Sequence, residues 1–448
     1  MYGLVILGGG PAGTGPLVWA AQHGKLGWLL EQGVAVVERS AKFGGSLDGY
    51  VINADSPGTS FLECLDGDAA RDAFAPVLDA GPTRKLEAMR HLYPPLQLIA
   101  DFERCLGEAL APTVANARGC RVARDEASSV RLGFDGGVTV QLKGGETLAA
   151  RAVVFGLGGH QDITARLSRE LVPGVRLADQ AREKIVPSGQ LLKPPGIAEA
   201  TRILAAAKRP KVVIVGGSHS AFSAAWVLLN KFSGVAFAEG DITIVHRRPQ
   251  RIFYGNEGEA RADRFTYTAR DVCPMTGRVH RMGGLRNDGR ELWRRIAGRP
   301  GAAPEPRVRL VPVASQTPEK LRNIFDEAAL IVPALGYQPN TVPVYGPTGG
   351  RISLAADGGR VAVDRMSRLV RTDGTALPGL FGVGLGTGYV PWGELAGEPS
   401  FDGHQNSLWL YQSGLGRMIF EGVRARLEDN ARATMVSLAE LATAASHE

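Results

Sequence analysis

The sequence predicts an α/β protein, because one arrangement of residues occurs twice along the chain. In each copy a short apolar segment, typical of a buried strand, runs into a glycine-rich turn. A segment with helical periodicity follows the turn, and a second apolar strand comes after it. Strands that alternate with helices indicate a parallel sheet with helices on its faces. We therefore expect two such units in one chain.

The first copy lies at the N terminus, where an apolar strand ends in GGGPAG at residues 8–13, a complete GxGxxG motif. Gly8 permits a tight turn, Gly10 lets backbone N–H groups approach a pyrophosphate, and Gly13 lets the helix pack against the strand. The next strand ends at Glu38, where a carboxylate can accept hydrogen bonds from ribose hydroxyls. A glycine-rich turn without a ligand is the alternative, but the order of these elements favours a Rossmann-like dinucleotide site.

The second copy has the turn GGSHSA, which is a GxSxxA variant of the same motif. Alanine is an accepted third residue, whereas Ser218 in the second place predicts a looser hold on a pyrophosphate. The following strand ends at His246, 30 residues beyond Gly216. Glu38 likewise lies 30 residues beyond Gly8. One architecture is therefore used twice, and the ribose-binding acid is missing from the second copy.

Two arginines, Arg247 and Arg248, follow His246 in the second copy. Guanidinium groups pair with the 2′-phosphate of NADP, whereas a carboxylate accepts from the 2′-hydroxyl of NAD. The second site therefore predicts NADPH rather than NADH. A solvated turn is the alternative interpretation of these two residues.

The remaining segments complete both units. Three short segments with alternating polarity predict an antiparallel meander that leads into a further strand, and one more strand is expected in each unit. The meander lies at 130–134, 138–142 and 148–150, and the other strands at 151–155, 328–332 and 379–384. The second unit is thus inserted in the first. We predict a first domain at 1–165 and 345–448, a second at 195–340, and a helical insertion at 84–117.

Composition excludes several classes of protein. The chain has 448 residues, of which 44% are hydrophobic, yet no segment has the roughly 18 consecutive apolar residues of a membrane span. The N terminus does not read as a signal peptide, so we expect a cytoplasmic protein. The four cysteines have no ligand-like spacing, and no metal site is predicted. The net charge of +6, concentrated in residues 247–299, favours anionic small molecules over nucleic acid.

The segment at 421–448 is amphipathic. We expect it either to cap the first domain or to form a homodimer contact.

Over nearly its whole length the sequence resembles the flavoproteins with two dinucleotide-binding domains, and among them the class B flavoprotein monooxygenases. The segment FGGSL at 43–47 is similar to one that contacts the flavin in that group. Asp326 followed by PALGYQP at 333–339 is similar to a signature of the N-hydroxylating members, with Leu335 in the place of Thr. The redox cysteine pair of the disulfide reductases is missing.

Two departures from the family pattern concern the linker and the last strand. Gly156 and His160 keep the spacing of the FxGxxxH linker of flavin-containing and Baeyer–Villiger monooxygenases, but Val154 replaces its Phe. The last strand runs into Gly384 without the Asp that usually binds the FAD. A contact from elsewhere must replace that Asp.

The resemblance implies FAD at the first site and NADPH at the second. NADPH would reduce FAD, and reduced FAD would activate O2 as a C4a-(hydro)peroxyflavin that N- or S-hydroxylates a small metabolite. Two alternatives stay open. One is electron transfer of the ferredoxin-reductase type, and the other is a flavin-dependent halogenase or Baeyer–Villiger enzyme.

The candidate catalytic residues are Asn53 and Asp55, in a turn that runs under the flavin in the resembled family. Either side chain could hydrogen-bond the nicotinamide amide or the oxygenated flavin, and a plain turn is the competing interpretation. Asp402 is expected to cap a helix over 408–419 whose N terminus points at the flavin. The predicted cofactor-binding residues are Gly8, Gly10, Pro11, Ala12, Gly13, Glu38, Arg39, Gly44, Gly45, Ser46, Leu47, Gly158, Gly216, Gly217, Ser218, His219, Ser220, Arg247, Arg248, Gly336, Tyr337, Gly384 and Asn406.

Replacement of Arg247 and Arg248 by Ala should reduce the preference for NADPH over NADH. Loss of charge-assisted bonds to a 2′-phosphate costs a factor of roughly 10 to 100 in affinity. The measurement is the ratio of kcat/KM for the two nucleotides in the wild type and in the double variant. An unchanged ratio would show that these arginines do not contact the phosphate.

Overall fold

The computed structural model describes residues 1–161 and 163–445. Strand Tyr2–Leu7 lies inside a nine-stranded sheet and pairs in parallel with Val34–Val37 on one side and Thr147–Phe155 on the other. Every residue of Val34–Val37 is buried, as is every residue of Tyr2–Leu7 after the first. Strands buried on both faces are continuous apolar runs, which explains why the sequence pattern identified both.

Strand Thr147–Phe155 joins two parts of this sheet. Its first half pairs antiparallel with Val138–Leu142, and its last residues pair in parallel with Ala376–Gly382. The predicted strands at 148–150 and 151–155 are therefore a single strand. The order is Val344–Tyr345, Ala127–Leu132, Val138–Leu142, Thr147–Phe155, Tyr2–Leu7, Val34–Val37 and Arg121–Ala123, with Arg368–Val370 beside Ala376–Gly382.

The second sheet has four parallel strands, and its register repeats that of the first. The order is Val308–Pro312, Ile242–His246, Val212–Val215 and Leu330–Pro333. Leu7 pairs with Val37, and Val215 pairs with Val245. Glu38 follows Val37 and His246 follows Val245, so Glu38 and His246 occupy equivalent positions in the two units. The prediction of two Rossmann-like units is confirmed.

The chain crosses between the two units at two places that lie side by side. Gly159–His160 pairs antiparallel with Gln338–Pro339, and Asn340 donates through Nδ2 to the carbonyl of Leu157 at 2.9 Å. The first sheet takes its strands from residues 2–155 and 344–382, and the second from 212–333. The predicted limits of the domains, near 165, 195, 340 and 345, stay a prediction.

Helices pack on both sheets, and some touch by their backbones. Helix Pro11–Gln22 packs on Leu408–Gln412 and Gly414–Ala445, and a Cβ at Gly15 would lie 2.3 Å from the carbonyl oxygen of Tyr411. The insertion predicted at 84–117 corresponds to Gly81–Ala88 and Leu96–Asn116. The other helices are Leu26–Glu31, Thr59–Leu62, Asp68–Ala73, Ala75–Leu78, Ile163–Leu167, Ser188–Leu191, Pro194–Ala205, His219–Lys231, Glu257–Ala262, Asn287–Ile296 and Pro318–Asp326. The short strands not yet named are Glu170–Val172, Val175–Arg176, Ala356–Asp357, Arg360–Ala362 and Thr387–Gly388.

None of the helices in the described part of the chain is long and apolar enough to cross a membrane.

The C-terminal helices differ from the prediction in two respects. The expected single helix over 408–419 is interrupted at Ser413, whose backbone is not helical, so that the long last helix begins at Gly414 rather than near 421. The cap predicted at Asp402 is wrong, because Ser407 caps the first of these helices through its side chain. The carboxylate of Asp402 instead pairs with Arg248 at 3.1 Å. Residues 446–448 of the predicted segment lie outside the described residues.

A buried carboxyl group links the inserted helix Leu96–Asn116 to helix Leu408–Gln412. Glu103 is 3% exposed, and its carboxyl oxygens lie 2.9 and 3.1 Å from Nε2 of Gln412. Burial raises the pKa of Glu103 from 4.5 to about 7, although the hydrogen bond from Gln412 lowers it. In the folded protein this side chain therefore keeps its proton over a pH range in which the unfolded chain loses it.

The free energy of unfolding should consequently decrease as the pH rises from 4.5 to 7, by up to about 3 kcal/mol. Glu103→Gln stays neutral and should abolish this component. The variant should therefore resist urea better than the wild type at pH 8 but not at pH 5. Glu108→Gln, at an exposed position of the same helix, is the matched control. Equal pH dependence in all three proteins would contradict the assignment.

Candidate active site

A cleft of about 1430 Å³ lies beyond the carboxyl ends of the central strands of the first sheet and reaches the start of helix His219–Lys231 in the second unit. In parallel α/β sheets this edge is where ligands bind. The cleft is lined by the first glycine turn, the segment after it, the start of helix His219–Lys231 and the loop before helix Asn287–Ile296. It therefore brings the first predicted cofactor turn together with His219 and Ser220, at the end of the second.

The first glycine turn has the geometry of a pyrophosphate cradle. Gly8 has φ +108°, and a Cβ at Gly13 would lie 2.0 Å from the carbonyl oxygen of Gly8, so neither position admits a side chain. Gly10 precedes helix Pro11–Gln22 in an extended conformation and provides no side-chain cap. The first N–H groups of this helix are thus free for an anion, which the positive end of the helix dipole also favours.

Glu38 holds this turn in place. Its carboxylate accepts from the backbone N–H groups of Gly9 and Ser40, both at 2.7 Å. The side chain also lines the cleft. A carboxylate has about four lone-pair sites, so the two backbone bonds leave acceptor capacity for ribose hydroxyls. These residues fit the adenosine half of FAD.

The second turn repeats this construction with weaker anchoring. Gly216 has φ +148°, and its Cβ would lie 2.6 Å from the carbonyl oxygen of Ala334. Ser218 precedes helix His219–Lys231 without a side-chain cap, so these N–H groups too can bind a phosphate. His246 is buried, and its Nδ1 lies 2.9 Å from the carbonyl oxygen of Arg248. Burial lowers the pKa of His246, and the hydrogen bond of its ring goes to the following loop rather than back to the glycine turn.

The segment after Glu38 packs beneath the first turn. A Cβ on Gly9 would lie 2.6 Å from the ring of Phe43, and Gly44 and Gly45 both have positive φ. Glycine tolerates this conformation without strain. The turn carries Ser46 and Leu47 into the cleft, and their contact with the flavin stays a prediction.

The candidate catalytic turn connects the two units. Asn53 donates through Nδ2 to Asp288 at 2.8 Å, and Asn287 donates to the carbonyl of residue 54 at 3.3 Å. Asn53 is thus engaged in holding the turn. Asp55 is more exposed to the cleft, and its carboxylate lies 3.6 Å from Nε2 of His219. Burial lowers the pKa of His219, and the positive charge of Arg286 adds to this, whereas Asp55 opposes it.

Further polar residues of the cleft were missed by the sequence analysis. With its amide oriented to satisfy both ends, Asn406 donates to the carbonyl of Gly384 at 3.0 Å and accepts from Arg360 at 2.7 Å. Arg360 and Asn406 are therefore the polar groups beside the strand end that lacks its Asp. Tyr50 and Tyr337 are hydrogen-bonded through their hydroxyl oxygens at 2.9 Å across the cleft. No motif contains Arg360 or Tyr50, so no sequence signal pointed to them.

The predicted residues divide into those that line the cleft and those that lie behind it. Lining residues are Gly8, Gly10, Pro11, Ala12, Glu38, Arg39, Gly45, Ser46, Leu47, Asn53, Asp55, Gly158, His219, Ser220, Tyr337 and Asn406. The others are Gly13, Gly44, Gly216, Gly217, Ser218, Arg247, Arg248, Gly336 and Gly384. Most of the second group are glycines at turns, where they permit close packing. Arg247 is exposed, and both it and Arg248 stay predicted contacts of the 2′-phosphate.

Comparison with known proteins identifies the family. No protein-family model matches the chain. The chain is 33% identical over 444 residues to a CMP-5′-(3-aminopropyl)phosphonate hydroxylase of Streptomyces rubellomurinus, and the alignment covers 96% of this chain and 99% of that protein. The chain belongs to the class B flavoprotein monooxygenases.

The fold of this monooxygenase is similar to those of three solved enzymes. An ornithine N-hydroxylase of Kutzneria sp. 744 has a TM-score of 0.53 and 16% sequence identity, and the match covers 95% of this chain and 99% of that chain. An L-lysine 6-monooxygenase of Pseudomonas syringae has a TM-score of 0.54 and 16% identity, with 95% of this chain and 100% of that chain covered. A cadaverine monooxygenase of Erwinia amylovora has a TM-score of 0.55 and 14% identity, with 94% of each chain covered. The first of these enzymes was solved with reduced FAD and NADP+, and the third with FAD; the two glycine turns of this chain fit such dinucleotides. Among the described residues no group of His, Cys, Asp or Glu is arranged to hold a metal ion.

Replacement of Asp55 by Ala in this monooxygenase should increase the hydrogen peroxide released per NADPH oxidised, by roughly threefold or more. The change removes a carboxylate that faces the cleft, and a polar group lost near developing charge costs about 1–3 kcal/mol. Asp72→Ala, exposed on helix Asp68–Ala73, is the control. If both variants stay as tightly coupled as the wild type, Asp55 has no role in oxygen transfer.

Proposed function

We propose that this monooxygenase N-hydroxylates the primary amine of a small phosphonate that is joined to a nucleotide. The observation that carries the proposal is the alignment with the phosphonate hydroxylase, since it spans nearly the whole of both chains at 33% identity. Bound FAD, once reduced by NADPH, supplies the activation of O2. The protein must then bind the amine, remove its proton and exclude water.

The cleft contains a carboxylate and an imidazole suited to an amine. Asp55 offers an alkylammonium group a negative partner. Nε2 of His219 is buried and has no hydrogen-bond partner among the described residues. Burial lowers the pKa of His219, which favours the neutral imidazole, whose ring has a free acceptor nitrogen. An amine reacts with an electrophilic oxygen only through its free lone pair, so an adjacent proton acceptor supports N-hydroxylation.

The size of the cleft supports a large substrate. Small-molecule sites commonly measure about 300–1,000 Å³, and the cavity of about 1430 Å³ must hold two dinucleotides in part as well as the substrate. The loop before helix Asn287–Ile296 lines the cleft, and in this proposal the nucleotide attached to the amine lies against it.

The test is incubation of the FAD-loaded protein with NADPH, O2 and CMP-5′-(3-aminopropyl)phosphonate. We expect substrate-dependent NADPH oxidation and a product one oxygen atom heavier, with the oxygen on nitrogen. The same nucleotide with a propyl group in place of the aminopropyl group is the matched control and should give no such product. NADPH oxidation that yields only peroxide, together with rapid reduction of an artificial electron acceptor, would favour an electron carrier and overturn the proposal.

A further inference from the structure

Three arginines on the loop before helix Asn287–Ile296 lie at one wall of the cleft. Arg278, Arg281 and Arg286 all line it. Residues 270–290 contain five arginines, and the other two, Arg270 and Arg290, do not line the cleft. We propose that these three arginines form a binding site for the phosphate or phosphonate oxygens of the substrate, separate from the site of the NADPH 2′-phosphate. The proposal rests on the proposed function for the identity of its ligand.

Unlike two other arginines of the same unit, these three have no carboxylate partner among the described residues. In the same unit Arg294 pairs with Asp263 at 2.9 Å, and Arg290 lies 3.8 Å from Glu259. Within the described residues, no Asp or Glu oxygen lies within ion-pair distance of Arg278, Arg281 or Arg286. Guanidinium groups in this environment are not deprotonated, so positive charge accumulates at this wall, with the carboxylate of Asp55 as its nearby counter-charge.

Arg286 is held rigidly at this wall. Its guanidinium lies 4.2 Å from the centre of the Phe253 ring, and it donates to the carbonyl of Arg281. Burial lowers the pKa of Arg286, and the charges of Arg278 and Arg281 contribute in the same direction, while Asp55 and Tyr93 oppose it. A fixed, partly buried guanidinium with unused donors is suited to bidentate recognition of a tetrahedral oxyanion.

The other two arginines extend the site towards solvent. Arg281 donates through Nη1 to the carbonyl of Ala396 at 3.1 Å, which fixes its side chain and leaves other N–H groups free. Arg278 is exposed. The positive wall therefore runs from the solvent to Arg286, and the carboxylate of Asp55 lies beyond it. A molecule with an amine at one end and phosphorus oxyanions at the other matches this distribution of charge.

The test measures binding to the FAD-loaded protein by calorimetry, with CMP, 3-aminopropylphosphonate and NADP+ as separate probes and cytidine as the uncharged control. Arg286→Gln and Arg281→Gln should each raise the Kd of CMP by about 10- to 100-fold. The Kd of NADP+ should change by less than about twofold. If Arg286→Gln fails to fold, Arg286→Lys keeps the charge but loses the planar fork and should still weaken CMP binding. Arg270→Gln removes a charge from the same region outside the cleft and is the matched control.

Each outcome bears on the site or on its ligand. The proposal would be overturned by any of three results. CMP binding is lost equally in Arg270→Gln, or it is unchanged in the cleft variants, or only the binding of NADP+ is weakened. If the arginines are needed for binding of 3-aminopropylphosphonate but not of CMP, the phosphonate is the anion that they bind. If they are needed for CMP but not for 3-aminopropylphosphonate, the anion is the nucleotide phosphate. Arginine-dependent binding without any hydroxylated product would leave the anion site standing and overturn the proposed function only.

Discussion

Contact between glycine backbones determines the position of everything else in this protein. A Cβ at Gly13 would lie 2.0 Å from the carbonyl of Gly8, and one at Gly8 would lie 2.3 Å from the carbonyl of Gly156. The three residues end one strand, begin the first helix and end the neighbouring strand. Their close approach places the helix N terminus at the switch point of the sheet, which is where a pyrophosphate binds. The cleft and the residues around it follow from this contact.

The glycine turn is anchored more strongly in the first unit than in the second. In the first, the carboxylate of Glu38 ties the glycine turn to the end of its strand through the N–H of Gly9. In the second, the equivalent residue is the buried His246, which bonds forward to the loop at Arg248. A turn with a charged anchor suits a cofactor that stays bound, and a turn without one suits a nucleotide that must exchange once in each turnover.

The sequence predicted the parts of the fold and site that depend on local spacing. The repeat of strand, glycine turn, helix and strand predicted both sheets, because buried parallel strands are continuous apolar runs and the turn residues are adjacent in the chain. Contacts between distant segments could not be predicted in this way. Arg360 reaches Asn406 from a short edge strand, and the helix predicted to begin at Asp402 begins instead where Ser407 can accept from the backbone. The choice among the five arginines likewise depended on which of them line the cleft.

The paired crossings between the two units have a consequence for the evolution of the chain. Because Gly159–His160 lies against Gln338–Pro339, the inserted unit starts and ends at the same point of its host. The entropy of closing a loop depends only weakly on its length, so the host's sheet can form around an insert of almost any size. An ancestral gene could therefore gain, enlarge or exchange the second unit at this point without a change in the register of the first.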